Sequence, residues 1–343
     1  MKKIGIILNP SAKINSRKTA GVLKSLGDTF GDKAILRTTK NEGELPGAVK
    51  ALRKEKIDIL LISGGDGTIC NVLTEFINQH GEDRLPMVAP LMGGTINMIG
   101  SDAGLRNSQL SIARKINDFI EKGKPLPFTE RSLVRVTDES RESPAYGFTW
   151  IDGLLYNFLI EYYSQGAGIQ VASVMTMKML VALISNSDRS TFKNIDSVVY
   201  MDGVRLPHEG HVLLIASGLR KLVFGFDIWD EKSKPGVTFN AVYIREEYLR
   251  KNRHILPLGL YRSLKSDPAG NFVNRALSSL KVERNMGYII DGEIFKHEEP
   301  VDVIIEPGPG IRIISFHGEK KLQPENRIEI PTERSNEHNK SQP

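Results

Sequence analysis

At 343 residues, 40% of them hydrophobic and 25% charged, the chain is long and apolar enough for two ordinary domains, which excludes a disordered or fibrous class. A net charge of +5 is thin over this length, and without zinc-finger spacing, an RNP-like aromatic run or a dense Lys/Arg block it argues against a nucleic-acid partner. The single cysteine, Cys70, rules out an intrachain disulfide and a multi-cysteine zinc site and suits a reducing cytoplasm, and the absence of 18 consecutive apolar residues leaves only peripheral contact with a membrane.

The apolar run from Lys3 to Leu8 predicts a first strand; it stops at Asn9-Pro10, too soon for the core of a signal peptide. A polar helix-like stretch follows Asn15, then a strand near Ala34 to Arg37 and a helix around Leu45 to Lys54. "IDILLIS" (57–63) predicts a third strand, apolar on both faces as a central parallel strand must be. A helix from about Thr68 to Asn78, a strand at "MVAPLM" and a helix from about Ile96 complete an alternation that predicts a doubly wound parallel sheet.

From about residue 126 the texture changes to short β-like runs: "SLVRV", "AYGFTWI", "SVVYM", "VRLP", "HVLLIAS", "VTFNAVYI", "MGYIIDGEI", "VDVIIEP" and "IRIISFH". They predict an antiparallel sandwich with one inserted helix in "GIQVASVMTMKMLVALIS". The boundary falls in "KGKPLPFTE", dividing an α/β domain (1–125) from a β-sandwich domain (126–322), whose last strands are free to return to the first domain. The tail 323–343 lacks aromatics and periodicity and is expected to be disordered.

The chemistry concentrates in loops. Strand, "GGDGT" (64–68), helix is an arrangement in which a ligand phosphate meets backbone N–H groups and the positive end of a helix dipole. Asp66 is odd there, since a carboxylate repels phosphate unless a divalent cation intervenes, so the loop points to a phosphate with a metal. At average glycine usage, chance occurrence of these five residues in such a chain is on the order of one in a thousand. "NPSAKINSRK" follows the first strand and offers Asn9, Ser11, Lys13, Arg17 and Lys18; "LMGGTIN" follows the fourth and carries Gly94, Thr95 and Asn97. In an open parallel sheet such loops share the carboxyl edge, where ligands bind.

"NPSAK", "GGDGT", "GGTIN" and "DGE" (291–293), in this order, resemble the diacylglycerol kinase catalytic family, which includes sphingosine, ceramide and bacterial lipid kinases, over roughly residues 3 to 320. GGDGT is shared with NAD kinases and, more distantly, 6-phosphofructokinases. The resemblance implies a nucleotide-binding α/β domain, a β-sandwich substrate domain, and ATP- and Mg2+-dependent phosphorylation of a lipid hydroxyl in the cleft between them. By the same resemblance Gly64, Gly65, Asp66, Gly67 and Thr68 hold the nucleotide phosphates, with Asp66 near magnesium; Asn9, Ser11 and Lys13 contribute from the first loop, and Gly94, Thr95 and Asn97 from the fourth. Glu293 matches the family's candidate general base, with Asp291 beside it as a second metal candidate. Read on its own, "DGE" is a plain hairpin turn. A cytoplasmic enzyme, peripheral at a membrane, fits this reading and is compatible with a homodimer.

Three departures from the family pattern stand out. Cys70 and Asn71 replace a common Asn-Glu, Met98 replaces an Asp of the acidic network, and Ala12 replaces a glycine. They keep open a weakened activity, a changed acceptor or a nucleotide-binding regulator without catalysis; an NAD kinase-like enzyme, which shares GGDGT and the two-domain plan, is the nearest enzyme alternative and is disfavoured by the lack of the later Asn-Glu motif and by the better fit of "DGE". Elsewhere, "QGAGIQV" lacks the third glycine of a dinucleotide loop, His208 and His211 read as a solvated loop rather than a metal site, and "VASVMTMKMLVALI" reads as a core helix, with a lipid-facing helix as its alternative. "GLRKLVFGFDIW" sets Arg220 and Lys221 beside Phe224, Phe226 and Trp229, and serves equally as a membrane-facing patch or a buried strand end.

Overall fold

The structure, a computed structural model, describes residues 2–12, 14–16, 19–82, 85–94, 97–165, 192–222, 227–252 and 266–316. Four parallel strands, β1 (Ile4–Leu8), β2 (Ala34–Thr38), β3 (Ile59–Ser63) and β4 (Met87–Pro90), lie in the order 2-1-3-4. Every residue of β1 and β3 is buried, which is why both read as unbroken apolar runs. Helix α1 (Thr19–Phe30) packs on α5 (Gln109–Glu121), and α2 (Leu45–Lys54) on α3 (Asp66–His80), covering the two faces. The helix expected from Ile96 is two: α4 (Met98–Asp102) stops where Gly104 takes φ +78, and Ser108 caps α5, its side chain accepting the Ser111 N–H.

The second half is antiparallel. Its strands are β5 (Phe128–Asp138), β6 (Ala145–Gly147), β7 (Thr149–Gly153), β8 (Val198–Met201), β9 (Val204–Arg205), β10 (Leu213–Ser217), β11 (Phe239–Ile244), β12 (Phe272–Leu277), β13 (Leu280–Ile290) and β14 (Glu293–Ile314). Alternate residues of these strands meet in one core, with Trp150 tilted on Tyr288 at 5.9 Å between ring centres and Phe239, Leu280 and Ile305 fully buried. The architecture is therefore a parallel α/β part joined to an antiparallel β-sandwich.

Two of the short runs read from the sequence are one element. "VDVIIEP" and "IRIISFH" join in β14, interrupted by a register shift between Pro307 and Gly310. The far end of β14 pairs with β5 and, through Ile313 opposite Val88, in parallel with β4, so all described strands belong to one sheet. Periodicity did not separate β12, the first half of β13, or helix α6 (Leu154–Ser164), whose "LLYNFLIEYYS" carries only the narrow polar stripe Asn157, Glu161 and Ser164. The Met-rich stretch 168–185, Phe224, Phe226 and the tail 323–343 lie outside the described residues. Among the described residues no helix is long and apolar enough to cross a membrane.

His211 corrects the expectation of a solvated loop: it is fully buried, its Nδ1 2.8 Å from Ser197 Oγ and its Nε2 3.2 Å from the buried Asp152 carboxylate. His208 is half-buried and meets the Ala269 carbonyl. Because Ile313 is buried between strands of both halves, Ile313→Ala should destabilise the protein by about 2–5 kcal/mol, read as a lower urea midpoint in circular dichroism.

Candidate active site

The apolar strand β3 ends at the buried Ser63, and Gly64 and Gly65 turn the chain into α3 at Asp66. Two glycine pairs meet main chain to main chain here. A Cβ on Gly93 would stand 2.8 Å from the Gly64 nitrogen, and one on Gly94 would stand 2.5 Å from the Gly65 Cα. Gly93 was not singled out from the sequence, yet no other residue fits its place. The first-turn amides of α3, those of Asp66, Gly67 and Thr68, have no carbonyl to bond within the helix and make its N-terminus receptive to an anion.

Asp66 spans the gap between these loops. Its carboxylate accepts the N–H groups of Met98 at 2.9 Å and Ile99 at 3.2 Å, capping the N-terminus of α4. Burial raises its pKa, and these two backbone bonds work the other way. Asn97, held at φ +52, accepts the Gly94 N–H through Oδ1 at 2.9 Å and donates through Nδ2 to the Gly94 carbonyl at 2.8 Å, bracing the fourth loop from within.

The first loop is tied to the same place. Asn9 Nδ2 donates to Thr68 Oγ1 at 3.0 Å, and Asn9 Oδ1 accepts the Ser11 N–H at 2.8 Å, while the Ser11 side chain is exposed. Beneath it lies a buried network with no signature in the linear sequence. Asn15 donates to the Asn9 carbonyl and to Ser63, Gln109 donates to Asn15 Oδ1 at 2.9 Å, and Ser63 donates to Gln109 Oε1 at 2.6 Å. Lys13, Arg17, Lys18 and Thr95 lie outside the described residues.

Glu293 reaches this cluster from the other half of the chain. Asp291 and Gly292, at φ +47 and +94, form the two-residue turn of the β13–β14 hairpin, a conformation that Asp-Gly favours. "DGE" is thus a hairpin turn and also the device that projects Glu293, whose carboxylate lies so close to Gly67 that a Cβ there would collide with its Oε1. A cavity of 180 Å³ gathers Asn9, Thr68 and Glu293 with Thr39, Lys40, Asn41, Leu45, Asn71 and Val72. Thr39, Lys40 and Asn41 follow β2 at the same carboxyl edge, and the edge rule that flagged the other loops applies equally to theirs.

Asp291 is buried and turned away from this cavity, accepting the N–H groups of Phe148 at 2.7 Å and Thr149 at 2.9 Å. Burial, reinforced by the nearby Asp66 charge, raises its pKa well above 3.8. Both carboxylates are thus committed to backbone amides, and among the described residues no three His, Cys, Asp or Glu side chains are grouped to hold a metal ion. The geometry gives no support to Asp66 and Asp291 as metal ligands.

The departures have local explanations. Cys70 Sγ and Thr74 Oγ1 each donate to the Tyr146 carbonyl at 3.0 Å, docking α3 on β6; burial raises the thiol pKa, with the charges of Asp291 and Glu293 adding to the effect. The Met98 side chain packs in the α/β core, and its N–H serves Asp66. Because the folded-state pKa of Asp291 is raised, its contribution to stability is present below 3.8 and is lost as pH rises through the folded value. The stability deficit of Asp291→Asn relative to the native protein should therefore shrink between pH 4 and pH 8, as checked by urea unfolding across that range.

Residues 3–123 match the family model of the diacylglycerol kinase catalytic domain. A diacylglycerol kinase of Bacillus anthracis str. Sterne superposes with a TM-score of 0.58 at 14% identity, over 92% of this chain and 97% of that one. Two further solved structures from the same organism give TM-scores of 0.64 and 0.62 at 15% and 16% identity, with the same coverage. At these identities the likeness is one of fold, and a comparison with the curated proteins finds no match. Residues 3–123, with the GGDGT loop and the Asp66 brace at their centre, are therefore similar to a diacylglycerol kinase catalytic domain, which supports a kinase-type transferase.

Proposed function

We propose that this chain transfers the γ-phosphate of ATP to a hydroxyl of a lipid. The observation that carries the reading is the meeting of Glu293 with Gly67 at the N-terminus of α3, in a cavity shared with Asn9 and Thr68. Glu293 takes the proton of the acceptor hydroxyl as its oxygen bonds to the γ-phosphorus; the bond from that phosphorus to the bridging oxygen breaks, and ADP leaves with the electron pair. The first-turn amides of α3 hold the phosphates, while Asp66 and Asn97 keep the two glycine loops in register. A magnesium ion accompanying the nucleotide would neutralise the phosphate charge, and Asp66 and Asp291, committed to backbone amides, are not placed to hold it.

An amphiphilic acceptor is favoured by what surrounds the base. A second cavity, of 320 Å³, is lined by Asp152, Tyr156, Arg284, Met286 and Gly287. Gly287 stands three residues before Ile290, the partner of Glu293 across the hairpin, so the cavity wall lies about 10 Å from the base. Helix α6 runs between the two: Tyr156 lines the cavity, and Tyr163 feels the Glu293 charge, which adds to burial in raising its pKa. None of the α6 side chains is fully buried, although eight of its eleven residues are apolar or aromatic. In this reading the enzyme works at a membrane surface without crossing it.

The packing of Met98 into the core, where the family commonly has an Asp, favours one second reading: a nucleotide binder without turnover. Magnesium-dependent transfer of labelled γ-phosphate to diacylglycerol, monoacylglycerol, phosphatidylglycerol, sphingoid bases and NAD separates the readings. Label should enter a lipid, and Glu293→Gln should lower kcat by about a hundredfold or more with nucleotide affinity kept. Gly67→Ala, which displaces the Glu293 carboxylate, should lower the rate similarly. ATP binding with no labelled product supports the binder, and label in NAD alone removes the lipid assignment.

A further inference from the structure

Helix α4 has five residues, too few to hold itself as a helix, so its position depends on the packing of Met98 and Ile99 in the α/β core and on what grips its two ends. Asp66 grips the first end through the Met98 and Ile99 amides. The last residue, Asp102, grips the other: its Oδ2 accepts Arg131 Nε at 2.6 Å and its Oδ1 accepts the Lys221 N–H at 2.8 Å. Both partners of this ion pair are buried, at 3% exposure for Asp102 and 4% for Arg131. The Arg131 guanidinium is itself aimed by bonds from Nη1 to Thr129 Oγ1 at 2.6 Å and to the Glu130 carbonyl at 2.8 Å.

The junction is a meeting point of the two halves of the chain. Arg131 belongs to β5 and lies opposite Ile311 in β14, the strand that begins at Glu293. Lys221 belongs to the segment after β10, and just before it Gly218 packs so tightly on the Ser132 carbonyl that no side chain fits. Asp102 thus fastens α4, and through it Asn97, Asp66 and both glycine loops, to the sheet that carries the candidate base. Neither Asp102 nor Arg131 stands in any of the loops that touch the cavity around Glu293.

We propose that Asp102 and Arg131 are positioning residues: their buried ion pair sets the α4 N-terminus, and through it the phosphate loops, in fixed relation to the β-sandwich. The inference rests on the nucleotide reading for its functional consequence and on geometry alone for its structural one.

Two measurements on the full chain, made well below the melting temperature of each variant, test it. In Arg131→Lys and Asp102→Asn, hydrogen exchange of the Met98 and Ile99 amides should speed up by about tenfold, while the amides of β1 keep their protection. Affinity for ATP should weaken by about tenfold in the same proteins. A buried pair with a purely structural role would lower the melting temperature and raise exchange uniformly, leaving ATP affinity unchanged in the folded variant; that result overturns the proposal. If Asp102→Asn does not fold, Arg131→Lys, which keeps the charge, gives the reading. Failure of the native protein to bind ATP would defeat the nucleotide reading, and the local exchange of Met98 and Ile99 would still decide whether the pair holds α4.

Discussion

The contact on which the site depends is the one between Gly64-Gly65 and Gly93-Gly94, where two turns of neighbouring strands touch through their main chains. A side chain at Gly93 or Gly94 would force β3 and β4 to deliver their loops further apart, and the Asp66 carboxylate would no longer reach the amides of Met98 and Ile99. From that contact follow the placement of α4 and the bracing of Asn97. The room for Glu293 beside Gly67 follows from the same absence of side chains.

Asp66 gains a physical explanation that needs no cation. A carboxylate next to a phosphate loop is repulsive if it faces the ligand. Here both its oxygens face amides at the start of another helix, where negative charge is stabilised. The same economy appears at Asp291, a buried carboxylate that holds β6 and β7 against the hairpin turn through the Phe148 and Thr149 amides. In both cases an acid that reads as metal chemistry serves as a connector between segments distant in sequence. Each role restricts how the group can move.

Much of the fold was legible because its signals are local. The parallel strands announce themselves by apolar runs buried on both faces, and the Gly-Gly turns by composition. The antiparallel half was legible as a class and less so as elements. Strand β14 was divided at Pro307–Gly310, since a proline-glycine cluster inside a long strand looks like a loop when it is a shift of register. Helix α6 is hard to read because its polar stripe, Asn157, Glu161 and Ser164, is narrow and the rest of the segment is apolar or aromatic, as in a strand. His211 was misplaced because a histidine beside glycine in a polar stretch looks solvated until Ser197 and Asp152 are brought to it.

Local sequence specifies which residues have special conformations and chemistry: the glycines that allow close approach, the Asp-Gly turn, and the Glu that follows it. Each is encoded within a few neighbouring positions, where sterics and hydrogen bonding act through adjacent bonds. What those residues face is set by the packing of distant segments. That Asp66 caps α4, that Glu293 lies on Gly67, that Asn15, Ser63 and Gln109 close one buried network, and that Asp102 meets Arg131 all depend on contacts between segments that are 29 to 226 residues apart. Such contacts arise from how the strands are ordered and how the halves share β14, and no pattern within either partner's own segment records them.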